Sequence, residues 1–294
     1  MRKLQAVSMM VLALVAGLTG CFSTTRVVQK TQAPEIYRTT SVEQLEKEIS
    51  DRDAAIRTLN AQVLITASTG GAKEGKVIEY TSFRGYIFVR RPRDLRVILQ
   101  LPVIGSRALD MVSDGKEFTL LIPPKNKAIV GTNEVTKPSD NGLYNLRPAV
   151  FLDSLLVPAV TSDEYVALTE STRVIQPESR HHAAIEEPDY DVSVLKVKSG
   201  NVMKRERTIH VSRVSMLPFQ QDIYDDNGQI VTQAMYDDYQ LKDGQQFPML
   251  VTIRRPLDEY TLKIDVTKLS LNEKLEDDQF ELKIPPGITI QKME

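Results

Sequence analysis

The chain has 294 residues, with 37 Lys and Arg against 39 Asp and Glu, and 41% of it is hydrophobic against 26% charged. That balance suits a folded, water-exposed body and lacks the strongly basic field that nucleic acid requires. A single cysteine excludes an internal disulfide, and three histidines leave few ligands for a metal.

The chain opens with the three parts of an export signal: Arg2 and Lys3, an apolar run from Ala6 to Leu18, then Thr19-Gly20. The run is shorter than the roughly 20 apolar residues of a membrane span. Cleavage after Gly20 is therefore expected, and it would leave the sole cysteine at the new N-terminus. Leu18-Thr19-Gly20-Cys21 resembles the bacterial lipobox, which implies lipid attachment at Cys21. Phe22 follows in place of Asp, and by analogy with the enterobacterial sorting rule this favours the outer membrane. Residues 1 to 20 hold one Arg and one Lys, so the mature chain carries 35 basic and 39 acidic residues, a formal charge of −4. The expected organisation is a signal peptide over 1–20, a lipidated N-terminus and flexible tether over 21–40, and one folded domain over 41–294.

Ser41 and Gln44 form a capping-box pattern ahead of Val42, Leu45, Ile49, Ile56 and Leu59, which recur at helical spacing. This predicts an amphipathic helix over 42–59, with one apolar stripe in need of a partner surface. From Gln62 the period changes to two. Leu95, Val97, Leu99 and Leu101 alternate with Arg96, Ile98 and Gln100; Phe118, Leu120 and Ile122 follow, then Phe247 to Ile253 and Tyr260 to Val266. Asp114-Gly115, Ser199-Gly200, Asn227-Gly228 and Asp243-Gly244 punctuate the runs as hairpin turns. A second helix is expected where Leu143, Leu146, Val150, Phe151 and Leu155 recur before Pro158. The pattern predicts a mainly β fold: an incomplete antiparallel β-barrel, a strongly curved sheet of roughly eleven strands, with α-helices closing its concave face.

No constellation points to catalysis, so the protein is read as a non-enzyme without cofactor. His181 and His182 sit in an acidic loop without spaced ligand pairs, which argues against a metal. Asp225-Asp226-Asn227-Gly228 begins like a calcium loop but lacks the later ligands and reads as a hairpin turn. Gly105-Ser106 lacks the glycines of a nucleophile elbow. Short basic clusters such as Arg90-Arg91-Pro92-Arg93 read as strand-end charges.

The order of elements, with Gly85-Tyr86-Ile87-Phe88-Val89-Arg90-Arg91-Pro92, Asp110 to Phe118, Leu121 to Lys127 and the closing Phe280 to Gly287, resembles the LolA/LolB lipoprotein-carrier superfamily. The resemblance covers residues 42 to 290. It implies a half-barrel that binds acyl chains of lipoproteins or lipids in an apolar hollow. Leu95, Val97, Leu99, Leu101, Leu109, Met111, Phe118 and Leu120 would line that hollow from the strands, and Leu146, Val150 and Phe151 from the lid. Plain core packing is the other reading of the same faces. It also implies a membrane-contacting turn at Val103 and Ile104, whose side chains either project or fold back on the core. Implied partners are acyl chains, the membrane held through Cys21, and a soluble periplasmic carrier, at a periplasm-facing outer-membrane location. The alternative is an envelope assembly lipoprotein that binds a protein partner at a sheet edge and carries no lipid cargo.

Overall fold

The computed structural model describes residue 26 and residues 30–133, 147–176 and 183–293. The signal peptide, Cys21, Leu143, Leu146, His181 and His182 lie outside the described residues. The chain divides into two units, Met1–Pro34 with Val174–Glu186, and Glu35–Arg173 with Glu187–Glu294. In the described part of the first, β1 (Thr31–Gln32) pairs in parallel with Ala184 and Ile185.

The second unit begins with α1 (Val42–Ala55), whose N-cap Ser41 accepts a hydrogen bond from the Gln44 amide at 3.3 Å. The helix is shorter than the expected 42–59. Asn272 donates to the Ala55 carbonyl and Arg91 to that of Ile56, so the end is satisfied from elsewhere in the fold. Ile56 then leaves the helix, and Leu59 opens a strand in which Leu59, Ala61, Val63 and Ile65 alternate inward. Both residues fit a helical stripe by spacing, but eleven registered pairs with a strand from the far end of the chain outweigh one more helical turn.

Sixteen strands form among the described residues, against the eleven expected. After β1 come β2 (Thr58–Gly71), β3 (Lys76–Glu79), β4 (Phe83–Arg90), β5 (Asp94–Gln100), β6 (Arg107–Ser113), β7 (Glu117–Ile122) and β8 (Lys127–Thr132). Then follow α2 (Pro148–Leu155), β9 (Glu164–Ile175), β10 (Ala184–Ser199), β11 (Val202–Ser212), β12 (Pro218–Tyr224), β13 (Ile230–Lys242), β14 (Gln245–Arg255), β15 (Tyr260–Leu271) and β16 (Thr289–Met293). The excess comes partly from β1, β3 and β16, which are short or bury no face and so carry no alternating signal. Residues 76–90 form two strands, β3 and β4, with a break at Tyr80–Ser82.

The sheet is mixed. Consecutive strands pair antiparallel from β4 to β8 and from β10 to β15, β2 pairs antiparallel with β3, β4 and β15, and the outermost pairs β1–β10 and β16–β8 are parallel. Its order runs from β1 to β16 without those two meeting, so the sheet is open. The four expected Gly turns all close hairpins, with Gly115, Gly200, Gly228 and Gly244 at positive φ. Register places Ile209, Gln221, Ala234 and Ile253 on one face, the face that both helices cover. Leu45 and Ile49 of α1 pack on Tyr190, Val192, Ile209 and Val211. Val150, Phe151 and Leu155 of α2 pack on the larger core from β2 through β8 and β13 through β15.

Candidate functional site

Between α1, the end of α2 and the neighbouring starts of β12 and β14 lies a cleft of about 60 Å3. Ile49, Ile56, Leu155, Leu156 and Phe247 give it apolar walls, and Arg52 and Gln246 sit at its polar margin. Two tyrosines of β13 enter it. Tyr239 donates its hydroxyl to the Pro218 carbonyl at 2.7 Å. Tyr236 is buried, and its hydroxyl has no partner among the described residues. Burial holds its phenol well above the usual tyrosine range, so it stays a neutral donor. Other polar atoms under α2 are also unsatisfied: Ser154 Oγ, and Gln221 Oε1, whose amide donates to the Asp153 carbonyl at 2.7 Å. A buried polar atom without a partner calls for water or a ligand group.

A second recess of about 440 Å3 flanks α2 on its other side, with Leu152 and Leu156 facing Arg91 and Arg93. At the N-terminal end of this helix Arg147 is buried. It donates to the Thr132 carbonyl at 2.8 Å and lies 5.2 Å from the Phe118 ring centre, with Nε and Nη2 unpartnered among the described residues. Burial pulls its pKa down.

The residues expected to line a hollow come together. Leu95, Val97, Met111, Phe118, Leu120, Val150 and Phe151 are buried in one cluster, and Leu99 and Leu109 pack against it. Leu101 is half-buried, just past the end of β5 and outside that cluster. The cleft at Tyr236 opens elsewhere on the same face. Sequence reasoning missed Tyr236, Tyr239, Gln221 and Arg147. Tyr236 sits in a stretch of mixed polarity, Gln233 to Asp238, with Met235 and Asp237 as its neighbours, and the pairing of β13 with β14 reveals its inward alternation with Ala234. The turn at Pro102–Gly105 projects: Val103 is fully exposed and Ile104 is 76% exposed. Of the two orientations the sequence left open, the structure shows the outward one.

On the opposite face His210 bridges strands, its Nδ1 2.6 Å from Asp191 and its Nε2 3.3 Å from Asp222. Beside it Arg173 stacks on Phe219 at 3.5 Å and pairs with Glu187 and Asp189. At Asp225 the expected hairpin turn is present, with its carboxylate accepting from Asn227 and Gln229 amides.

The sequence matches no protein-family model. No curated protein is similar to it in sequence. The fold, however, superposes on a LolA superfamily protein from Nitrosomonas europaea with a TM-score of 0.50 and 14% identity, over 81% of this chain and 97% of that one. The chain has a LolA-like fold. A DUF1329 family protein from Desulfovibrio piger is also similar, with a TM-score of 0.48 at 15% identity over 81% and 95% of the two chains. A domain described as an outer membrane lipoprotein-sorting protein, from Vibrio parahaemolyticus, gives a TM-score of 0.44 at 9% identity over 81% and 94%. Among the described residues, the cleft at Tyr236 and the recess beside α2 are two spaces next to the helices that could hold a ligand.

Proposed function

We propose that this protein is a lipid-anchored, non-enzymatic component of the cell envelope that takes acyl chains of lipoproteins or lipids beneath α1 and α2. The observation that carries this reading is the apolar cleft with the unpartnered Tyr236 hydroxyl inside it. A volume of about 60 Å3 holds about four waters, or a similar number of methylenes at about 0.8 kcal/mol each on leaving water. A whole tail therefore requires α2 to shift. α2 has eight residues and no side-chain N-cap, and the shift would lift Val150, Phe151 and Leu155 from the core, a cost that the buried acyl chain would have to offset. Movement of α2 would open the cleft toward Leu95, Val97, Leu99, Met111, Phe118 and Leu120, with Val150 and Phe151 on the moving wall and Leu101, Leu109 and Leu146 at the margins. The Tyr236 hydroxyl would donate to an acyl carbonyl.

In this reading the sheet bends as an incomplete barrel under its helices, Cys21 holds the chain on the periplasmic side of the outer membrane, and a soluble carrier hands over the cargo. Val103 and Ile104 meet the bilayer. The second reading, assembly with a protein partner, is favoured by one observation: β16 is exposed and, among the described residues, pairs on one side only, which offers an edge for strand addition. Mass spectrometry of a Cys21→Ala form purified without detergent separates the two. Copurifying lipids or lipopeptides are expected; a lipid-free protein carrying a bound polypeptide would replace the carrier reading with the assembly one.

A further inference from the structure

β3 is an apolar strand without a core. Val77 is 62% and Ile78 43% exposed, so neither face of the strand is buried. It is held only by pairing with β2, Thr69 to Ile78 and Gly70 to Val77. Tyr80, which follows it, is 37% exposed. The neighbouring elements at this end of the sheet carry the same chemistry. Beyond the Arg84–Gln100 pair, the next residues of β4 and β5 lead back to Tyr80 and forward to Val103 and Ile104. On the other flank, Leu257 is exposed in the β14–β15 turn, which is tied to the β2–β3 hairpin by Lys73 Nζ on the Leu257 carbonyl at 2.8 Å. Six apolar side chains thus line one end of the sheet, two on β3 and four in the connections beside it, where they can enter an interface without unfolding anything.

We infer that this whole end, and not the Val103–Ile104 turn alone, seats on an anionic lipid surface and sets the protein's orientation on it. The inference rests on the membrane contact proposed above. Exposed Lys76 and Arg84 flank the apolar tips without an ion pair among the described residues. The exposed tips carry both signs, Lys73, Lys76 and Arg84 against Glu74 and Glu79, and the three cations supply the positive charge that anionic headgroups attract. The cleft at Tyr236 opens at the opposite ends of the strands, among the starts of β12 and β14. Seated this way, the protein presents the cleft away from the bilayer, toward the aqueous side from which a carrier would arrive.

The chain contains no tryptophan, so a single introduced indole reports its own position. Full-length lipidated Tyr80→Trp and Leu241→Trp are reconstituted in phosphatidylglycerol vesicles with brominated acyl chains. Leu241 is 66% exposed near the opposite strand ends. Both positions are exposed enough to keep the fold, which circular dichroism verifies, and Leu257→Trp repeats the first measurement at an independent tip. The expected result is blue-shifted, quenched emission at positions 80 and 257 and unshifted, unquenched emission at 241. Unquenched emission at 80 and 257 overturns the seating, and quenching at 241 overturns the orientation. Acyl-probe binding measured on the same variants reads the cleft separately, so loss of quenching with binding intact defeats this inference alone.

Discussion

At the scale of single residues, Val103 has a φ of 70° in a turn closed by the Gly105 amide on the Leu101 carbonyl. A β-branched side chain there costs roughly 1–2 kcal/mol. Strain held at a fully exposed position has no packing to explain it, which suits a side chain kept for contact. Val103→Gly should therefore raise stability by about 0.5–1 kcal/mol in denaturant titration, net of the added unfolded-state entropy, while weakening vesicle binding. Asp189 gives a pH-dependent counterpart. Burial first, then the nearby Glu187 and Asp191 carboxylates, push its carboxyl up to about 6 against the pull of Arg173 and His210. Its folded pKa thus exceeds its ordinary value of 3.8, so folding is favoured where the group is protonated. That contribution is present in full below about pH 4 and is lost as pH rises through 6. Asp189→Asn should stabilise by roughly 1–2 kcal/mol at pH 7.5, after allowance for screening, and have no effect at pH 3.5. Equal gains at both pH values would show that burial of this carboxylate is not the cause.

At the scale of elements, the two helices do different work. Leu45 and Ile49 of α1 are almost fully buried against β10 and β11, and Arg91 pairs with Asp53 near its last turn. Leu45→Ala should cost about 2–5 kcal/mol of unfolding free energy. α2 also buries Val150, Phe151 and Leu155, but it is only eight residues long and has no side-chain N-cap; as a lid its amides should exchange with deuterium faster than those of β2 or β15, and equal protection would make it a fixed part of the core. The β3 arm is different again. Val77→Ser with Ile78→Ser should change stability by less than about 0.5 kcal/mol, because neither side chain leaves a core. Elements with one buried face were legible in the sequence. The alternation Tyr260, Leu262, Ile264, Val266 and the stripe Leu45, Ile49 record burial directly. β16 buries no face, so no alternation marks it as a strand, and the break between β3 and β4 leaves the β-branched Val77 and Ile78 looking like the start of one longer strand. The end of α1 was also hidden, because Asn272 and Arg91, which close it, come from distant parts of the chain.

At the scale of the whole molecule, hydrophobic patterning fixes which face of each strand is buried but not whether a buried face is packed or open to a ligand. Leu95, Val97, Met111 and Phe118 look the same in either case. The cleft depends on where α1 ends, where α2 lies and how β13 pairs with β14, all of them long-range outcomes. The central claim is that an acyl chain binds there. Its most direct test is titration of a long-chain fatty acyl probe into the wild-type protein and into Leu156→Trp, which fills the cleft beside α2 at an overpacking cost of about 1–3 kcal/mol. The account predicts saturable one-site binding by the wild type and an affinity loss of at least about tenfold, or 1.4 kcal/mol, in the folded variant. No saturable binding by the wild type, or equal affinity in Leu156→Trp, would contradict it.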